Sequence, residues 1–394
     1  MSDSQFVLIG IGGAGGKVVD TIAETSASRI KAVAIDTDFE AVARLSHCQQ
    51  YRIGSTRFGG LGSGGDRSGS AMAADETPAL AAMFDGVQVA IVVAGISKGT
   101  GAGVLAKILA RAAERNVVTL VFMIAPFQFE GVDLGRKAAE TEQSISKLGD
   151  VRIVCRNDDL CPINTNLTLE ASFAQATRTL ADGITLLWKM TTCPGYLNLD
   201  FATLIAIVKS GRGLCNLGVG VASGSNRVKL ASEQLLGSTG MGMGNKLTGA
   251  KAALVGIIGG DDLRLQEVAE SMSMIGSAMS IDSPIRMGTV VDHDVAEAIH
   301  LVVLLFREWN PLYASDAEAE AETETETAVS PTEARGRKAG QRYTASSAST
   351  RSQKTKQAKK VYNDKFQNSA ATCVNGENLD KPTFLRLRLH LDLS

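Results

Sequence analysis

Residues that commonly hold metals are scarce in this sequence, and those present are dispersed. None of its six cysteines belongs to a CxxC pair; they stand at positions 48, 155, 161, 193, 215 and 373. The four histidines show no ligand spacing either, at positions 47, 293, 300 and 390. The spacing therefore predicts no metal site built from protein side chains alone. The cysteine usage favours a reduced, cytoplasmic chain.

Long apolar runs and a strong net charge are also lacking. No apolar stretch reaches membrane-spanning length, so we expect no transmembrane segment. The first residues, MSDSQFVLIG, lack a basic segment followed by an apolar core, so we expect no signal peptide. The formal net charge of −2 does not point to nucleic acid, and no specific nucleic-acid partner is expected. The 394 residues, 44% of them apolar, predict an ordinary soluble globular protein of two or more domains.

One glycine-rich stretch organises the first half of the chain. Residues 94–104, AGISKGTGAGV, follow an apolar, β-branched run over 87–93 and precede apolar residues at helical spacing over 105–115. This pattern predicts a strand-to-helix turn, at which backbone N–H groups and the helix dipole favour a phosphate. A tight turn whose glycines serve packing alone is the alternative for this stretch taken by itself.

A second glycine-rich turn follows the first predicted strand. The run GIGGAGG over 10–16 contains a G-x-G-x-x-G pattern, and a strand predicted over 31–35 ends at DTD, residues 36–38. These are the parts of a dinucleotide-binding unit, so a Rossmann oxidoreductase is an alternative from this stretch alone.

Strands continue to alternate with helices up to about residue 160. Residues 54–69, with GLGSGGD at 60–66, are predicted to form a long flexible loop that either wraps a phosphate or is a mobile surface loop. Apolar strands are predicted over 117–124 and 151–155. This alternation predicts a parallel sheet covered on both faces.

The order of the motifs carries more information than any one of them. GIGGAGG, DTD, GLGSGGD and GTGAG are followed by PFQFEG at 126–131 and ND at 157–158. In this order they resemble the FtsZ/tubulin family, and its bacterial FtsZ branch in particular. A Rossmann domain needs one glycine-rich turn, whereas a nucleoside triphosphate held along several strand ends uses more, so the three turns favour this family over an oxidoreductase.

The resemblance extends to residue 310 and implies the domain organisation. Residues 168–192 resemble the core helix of the family, and CPGYLNLDFA at 193–202 is similar to its catalytic loop, PGxxNxDFA. We therefore predict an α/β fold: a Rossmann-like GTPase domain with a parallel sheet over 1–167, the core helix, and a second, α+β domain over 193–310. The predicted strands of the second domain cover 214–221, 252–258, 285–291 and 299–306, and its helices cover 227–236 and 263–279.

Order is predicted to end near Pro311. Residues 316–333 contain seven acids and no base, and residues 335–360 contain nine bases and no acid. Because such a segment cannot bury a core, we predict a disordered charged linker over 311–378. Residues 379–394 contain LDKPTFLR, which resembles the adaptor-binding C-terminal peptide of the FtsZ branch. Its predicted contact residues are Asp380, Pro382, Phe384, Leu385 and Arg386.

The resemblance also implies a nucleotide site and its roles. It implies GTP or GDP with Mg²⁺, and a head-to-tail homopolymer in which Asn198 and Asp200 of one subunit act on the phosphates of the next. Glu130 would meet the ribose, and Asn157 and Phe173 the base. The full set of implied nucleotide-binding residues is Gly12, Gly13, Gly15, Gly16, Gly64, Gly99, Thr100, Gly101, Ala102, Gly103, Glu130, Arg136, Asn157, Phe173 and Thr177.

The nucleotide-binding motifs depart from the family pattern at their glycine loops. SKGTGAG stands where the family has GGGTGTG, so Ser97 and Lys98 replace two glycines and Ala102 replaces a Thr or Ser. Lys98 either adds positive charge at the phosphates or points outward. Lys17 stands where the family usually has an Asn that reads guanine, which weakens the expectation of base specificity.

Two further departures bear on hydrolysis. Arg136 follows Glu130 at a longer spacing than the Arg of the family, and Thr203 replaces the second acid of the catalytic loop. Slow hydrolysis is therefore expected. The resemblance implies a cytoplasmic bacterial cell-division GTPase that polymerises into protofilaments and forms the midcell division ring at the inner membrane through tethering adaptors. The alternative is a nucleotide-binding structural polymer with weak or no GTP hydrolysis.

Overall fold

The structure is a computed structural model, and two compact units, 1–330 and 331–394, divide the chain. It describes residues 5–25, 30–160, 167–192, 197, 199, 201–237, 243–244, 247, 249–279, 283–293, 295, 297–310, 373–374 and 377–378. In the second unit, strands β11 (Cys373–Val374) and β12 (Glu377–Asn378) pair antiparallel. The remainder of the predicted linker and the whole of the predicted C-terminal peptide lie outside the described residues.

The first unit is built on one ten-stranded sheet with the order β3-β2-β1-β4-β5-β6-β7-β10-β8-β9. Strands from β3 across to β7 are parallel, β10 is antiparallel to both β7 and β8, and β9 is parallel to β8. The strands are β1 (Phe6–Ile11), β2 (Lys31–Asp36), β3 (Gln49–Arg52), β4 (Val89–Gly95), β5 (Val118–Ala125), β6 (Val151–Arg156), β7 (Gly213–Ser223), β8 (Ala252–Gly259), β9 (Ile285–Val291) and β10 (Ala298–Phe306).

Helices connect these strands. They are α1 (Gly12–Thr25), α2 (Phe39–Ala43), α3 (Ser55–Phe58), α4 (Arg67–Asp75), α5 (Gly99–Glu114), α6 (Val132–Ser144), α7 (Asn157–Leu160), α8 (Leu169–Thr192), α9 (Phe201–Ser210), α10 (Arg227–Leu236) and α11 (Leu265–Ala278). Short 3-10 turns cover Pro78–Leu80, Ala82–Phe84 and Gln128–Glu130. Among the described residues, no helix is both long enough and apolar enough to cross a membrane.

Alternate residues of the central strands face two separate cores. Leu8, Ile91 and Phe122 belong to the core that includes residues of α1 and α8. Their sequence neighbours Ile9 and Val92 belong to the core that includes residues of α5. Strands buried on both faces read as continuous apolar runs, as β4 and β5 do. The predicted parallel sheet covered on both faces is confirmed.

Residues 54–69 differ in part from the predicted flexible loop. Residues 55–58 form α3 and residues 67–69 begin α4, while 59–66 between them is a loop as predicted. The Asp66 side chain caps α4 by accepting a hydrogen bond from the Gly69 N–H at 2.9 Å. An isolated β-bridge joins Asp38 to Leu61 and holds the start of the glycine-rich loop at the end of β2. Helix α3 was not predicted, since a four-residue helix leaves no periodic signal.

The two halves of the sheet meet at one short seam. Only Val151, Arg152 and Ile153 of β6 pair with β7, at Gly213, Leu214 and Cys215. The sheet therefore runs across the predicted boundary between the first and second domains. The boundaries at residues 167, 192 and 310 stay predictions.

Candidate functional site

Two glycine-rich helix starts converge at the carboxyl ends of the central strands. Strand β1 runs directly into α1, and β4 is followed by the turn that opens α5. Gly12 has φ +73°, and a Cβ built there would lie 3.2 Å from the Gly101 backbone N. The first N–H groups of a helix lack partners within the helix, and its N-terminus carries a partial positive charge. This point is therefore suited to binding an anion.

Some of these glycines are required by the packing of the protein itself. A Cβ on Gly15 would lie 2.2 Å from the Val93 carbonyl oxygen. One on Gly103 would lie 2.2 Å from the Arg67 carbonyl oxygen, and one on Gly101 would lie 2.0 Å from that of Gly95. Packing therefore requires glycine at positions 15, 101 and 103. The phosphate interpretation of the glycine runs stays a prediction.

Two adjoining cavities of about 920 and 690 Å³ lie above these helix starts. They share Gly12, Gly13, Asp36, Asn157 and Phe173 in their walls, so they form one cleft. The larger cavity extends between α1, α2 and the start of α8. The smaller one lies over the start of α5 and the loop 61–65.

Hydroxyl groups join the walls of the smaller cavity. The Thr37 and Thr100 Oγ1 atoms are hydrogen-bonded at 2.7 Å, and the Ser63 Oγ lies 3.4 Å from the same Thr100 oxygen. Next to them, the Asp36 Oδ1 accepts hydrogen bonds from the backbone N–H groups of Thr37 and Asp38. Burial raises the pKa of the Asp36 carboxyl, and these hydrogen bonds offset part of that shift. The loop 61–65 is thus tied to the start of α5 through Ser63, and to the end of β2 through the Gly62 N–H, which donates to the Thr37 carbonyl at 3.2 Å.

An aromatic cluster borders the cleft where the two cavities meet. The rings of Phe127 and Phe173 meet edge to face at 5.3 Å, and Phe129 stacks on Phe127 at 4.9 Å. Phe173 and the buried Asn157 both line the larger cavity. Thr177 lines it too, and its hydroxyl donates to the Phe173 carbonyl. An aromatic wall beside an amide is suited to a planar, hydrogen-bonding ring.

Most of the predicted nucleotide-binding residues come together in this cleft. Those in its walls are Gly12, Gly13, Gly16, Gly64, Gly99, Thr100, Gly101, Glu130, Asn157, Phe173 and Thr177. Gly15, Ala102 and Gly103 lie in the same helix starts but outside the cavity walls. The Glu130 Oε1 accepts a hydrogen bond from the Phe127 N–H at 2.9 Å, which fixes this carboxylate at the rim.

Arg136 does not line the cleft. Its guanidinium pairs with Asp133 and Glu140 on its own helix, α6. Lys137, the next residue, lines the smaller cavity instead and also pairs with Asp133 at 2.9 Å. Sequence reasoning missed Lys137, Asp36 and Asp38. The acidic pair was visible as the DTD run at the end of β2.

The predicted catalytic residues Asn198 and Asp200 lie outside the described residues, but their neighbours are described. The Leu197 N–H donates to the Thr289 Oγ1 at 3.0 Å, and the Thr289 N–H donates to the Leu197 carbonyl at 2.9 Å. Leu199 is buried beside Gly288. The loop is therefore anchored on β9, at the far edge of the sheet.

Mg²⁺ fits this cleft only together with phosphates. Among the described residues, no group of three or more His, Cys, Asp or Glu side chains is placed to hold a metal. Asp36 and Asp38 line the smaller cavity as oxygen donors. Mg²⁺ commonly uses one or two carboxylates plus substrate phosphates, which is the donor set available here.

Family models match both halves of the sheet. The model described as Tubulin/FtsZ family, GTPase domain, matches residues 5–165, and FtsZ family, C-terminal domain, matches residues 213–306. The chain belongs to the Tubulin/FtsZ family. The GTPase-domain match assigns guanine-nucleotide binding and GTPase activity at the level of the family, and the predicted FtsZ resemblance is confirmed.

Curated relatives in this family include cell-division proteins. The cell division protein FtsZ of Pseudomonas aeruginosa is 29% identical over 299 residues, covering 75% of this chain and 75% of the relative. Cell division protein FtsZ 1 of Pyrococcus abyssi is 26% identical over 303 residues, covering 77% of this chain and 80% of the relative.

Solved structures of the family share the fold. The FtsZ dimer of M. jannaschii has a TM-score of 0.70 at 25% identity, covering 77% of this chain and 88% of that chain. CetZ2 from Haloferax volcanii, solved as a GTPγS-bound protofilament, has a TM-score of 0.64 at 22% identity, covering 82% of this chain and 99% of that chain. At 22% identity, the similarity to CetZ2 shows only that the fold is shared.

Proposed function

We propose that this protein is a bacterial cell-division GTPase that assembles head to tail and hydrolyses GTP at the contact between subunits. The main observation in support of this proposal is the exposed apolar surface at the rim of the cleft. Leu61 and Leu169 line the cleft with 89% and 66% of their surface exposed. Phe129 and Val132, on either side of the lining residue Glu130 in sequence, are 61% and 90% exposed. Large exposed apolar residues around a cleft are typical of a surface that a partner covers. A second copy of the chain is that partner.

In this proposal the cleft residues bind and orient the nucleotide. The helix starts at Gly12 and Gly99 donate backbone N–H groups to the phosphates, and loop 61–65 encloses their terminal end. Phe173 and Asn157 contact the base. Asp36 and Asp38 would hold Mg²⁺ together with the phosphates, and the ion would offset the negative charge of the phosphates. Asp200 and Asn198 of the neighbouring subunit orient the attacking water.

A structural polymer with weak or no hydrolysis remains the second candidate. Two observations favour it. Thr203 stands where a second acid would be, and Arg136 is engaged by Asp133 and Glu140 instead of lining the cleft. Fewer charged groups at the reacting phosphate mean less stabilisation of the transition state.

GTP turnover per subunit should depend on protein concentration. We expect almost none below a threshold and a steep rise above it, because the catalytic loop reaches the phosphates only across a subunit contact. Phosphate release and light scattering, recorded on the same samples, provide the measurement. Turnover that is constant per subunit from the lowest concentration would contradict the shared site. Filaments without phosphate release would support the structural polymer.

The second expectation concerns attachment to the membrane at the division site, which we assign to the C-terminal peptide. Removing residues 379–394 should leave nucleotide binding and assembly in solution unchanged, because the cleft is built entirely from residues before 181. Recruitment to vesicles carrying a division adaptor should be lost. A deletion of residues 331–346 is the length-matched control and should retain recruitment. Loss of assembly in the 379–394 deletion alone would contradict the assignment.

A further inference from the structure

We propose that Lys98 contacts the terminal phosphate of the bound nucleotide and makes this cleft prefer a nucleoside triphosphate over the diphosphate. The inference rests on the proposed binding of GTP in the cleft. It concerns a residue at which this chain departs from the glycine of its family.

The position of Lys98 follows from the start of α5. It is the N-cap residue, with an extended backbone (φ −110°, ψ −171°), and Gly99 is the first residue of the helix. Lys98 lines the smaller cavity together with Gly64, Gly65 and Gly99. The ammonium group therefore adds a full positive charge where the helix start already presents unpaired N–H groups.

Lys98 also differs from the other cations near the smaller cavity. Arg67 pairs with Glu140 at 3.6 Å, and Lys137 pairs with Asp133 at 2.9 Å. Across the described part of the chain, the Lys98 ammonium has no hydrogen-bond or ion-pair partner. It is exposed, so a phosphate can approach it without breaking an internal contact.

The two ends of the cleft indicate which phosphate Lys98 meets. Thr177, which faces the base in the proposed pose, lines only the larger cavity, Lys98 lines only the smaller one, and Phe173 lies where the two cavities meet. A nucleotide whose base lies against Phe173 extends its phosphates toward loop 61–65, and the terminal phosphate is the farthest from the base. A triphosphate carries additional negative charge at that end, which a diphosphate lacks. Charge-assisted contacts of this kind are stronger than neutral ones.

The test compares a non-hydrolysable GTP analogue with GDP, below the assembly threshold, in four full-length proteins. They are the natural chain, Lys98→Ala, Lys98→Arg and Lys107→Ala. Lys107 is the matched control, because it lies on the same helix, pairs with Asp75 at 2.6 Å and lies outside the cleft walls. Equilibrium binding gives the ratio of the two dissociation constants for each protein.

Lys98→Ala should weaken binding of the analogue about 10-fold and of GDP less than about 2-fold, as expected for one lost charge-assisted contact. Lys98→Arg should restore most of the preference, and Lys107→Ala should leave it unchanged. Raising the salt concentration should reduce the difference between the natural chain and Lys98→Ala. An unchanged ratio in Lys98→Ala, or an equal loss for both nucleotides, would overturn the assignment of Lys98 alone. Failure of the natural chain to bind either nucleotide would overturn the proposed function along with it.

Discussion

Replacing Asp200 by alanine should lower GTP hydrolysis about 10²–10⁴-fold, the usual cost of losing a positioned base or water-orienting group. Nucleotide binding should persist, because the cleft of each subunit is far from its own loop. Helix α8 starts at the cleft and has 24 residues, so it carries the chain about 36 Å away. Leu197 and Leu199 then anchor the loop beside β9.

The companion substitution, Thr203→Asp, should raise hydrolysis above that of the natural chain. It adds a carboxylate in the first turn of α9, where the helix dipole tolerates negative charge. Thr203→Asn is the matched control and should not raise the rate, since it has similar shape and no charge. Steady-state phosphate release above the assembly threshold compares all four proteins. Natural turnover in Asp200→Ala would refute the cross-subunit role. If Thr203→Asp alone has no effect, one acid suffices.

Gly101→Val should lose nucleotide binding together with stability. A Cβ at this position would lie 2.0 Å from the Gly95 carbonyl oxygen, so α5 must move away from the end of β4. Overpacking of this kind costs about 1–3 kcal/mol or more. The displaced helix start would no longer hold its N–H groups toward the cleft.

Gly13→Ala is the matched comparison for Gly101→Val. The nearest atom to its Cβ would be the Asp36 Oδ2 at 4.0 Å, yet Gly13 lines both cavities. It should keep the natural melting temperature while reducing affinity. Thermal unfolding and nucleotide binding of the two variants separate the effects. A Gly101→Val protein as stable as the natural chain would show that the helix start is not tightly packed.

The elements that could be predicted from sequence are those whose apolar residues follow the period of a strand or a helix. Strand β9 and helix α10 were predicted with the bounds that the structure has, because apolar residues alternate or recur at helical spacing there. Strand β3, QQYR, was missed, since an edge strand without buried residues carries no apolar signal.

In the cleft too, some residues could be predicted from the sequence and others could not. Gly12, Gly99 and Asn157 could be assigned because motif order fixes where the backbone turns at a strand end. The direction of long side chains could not. Arg136 and Lys137 are adjacent on α6, and their roles depend on where Asp133 and Glu140 stand around the helix. Sequence spacing alone did not indicate whether Arg136 or Lys137 would line the cleft.

The short seam between β6 and β7 has a consequence for the protein while it is being made. All of β1 to β6 precede residue 157, so the nascent chain can complete them before β7 exists. Until Gly213 is synthesised, β6 is an open edge with unpaired backbone groups. At about 5–20 residues per second, this interval lasts roughly 3–11 s. The long helix α8 is synthesised during this interval. If α8 docks early, it covers the apolar face of the sheet beside β6 before another chain can pair with the open edge.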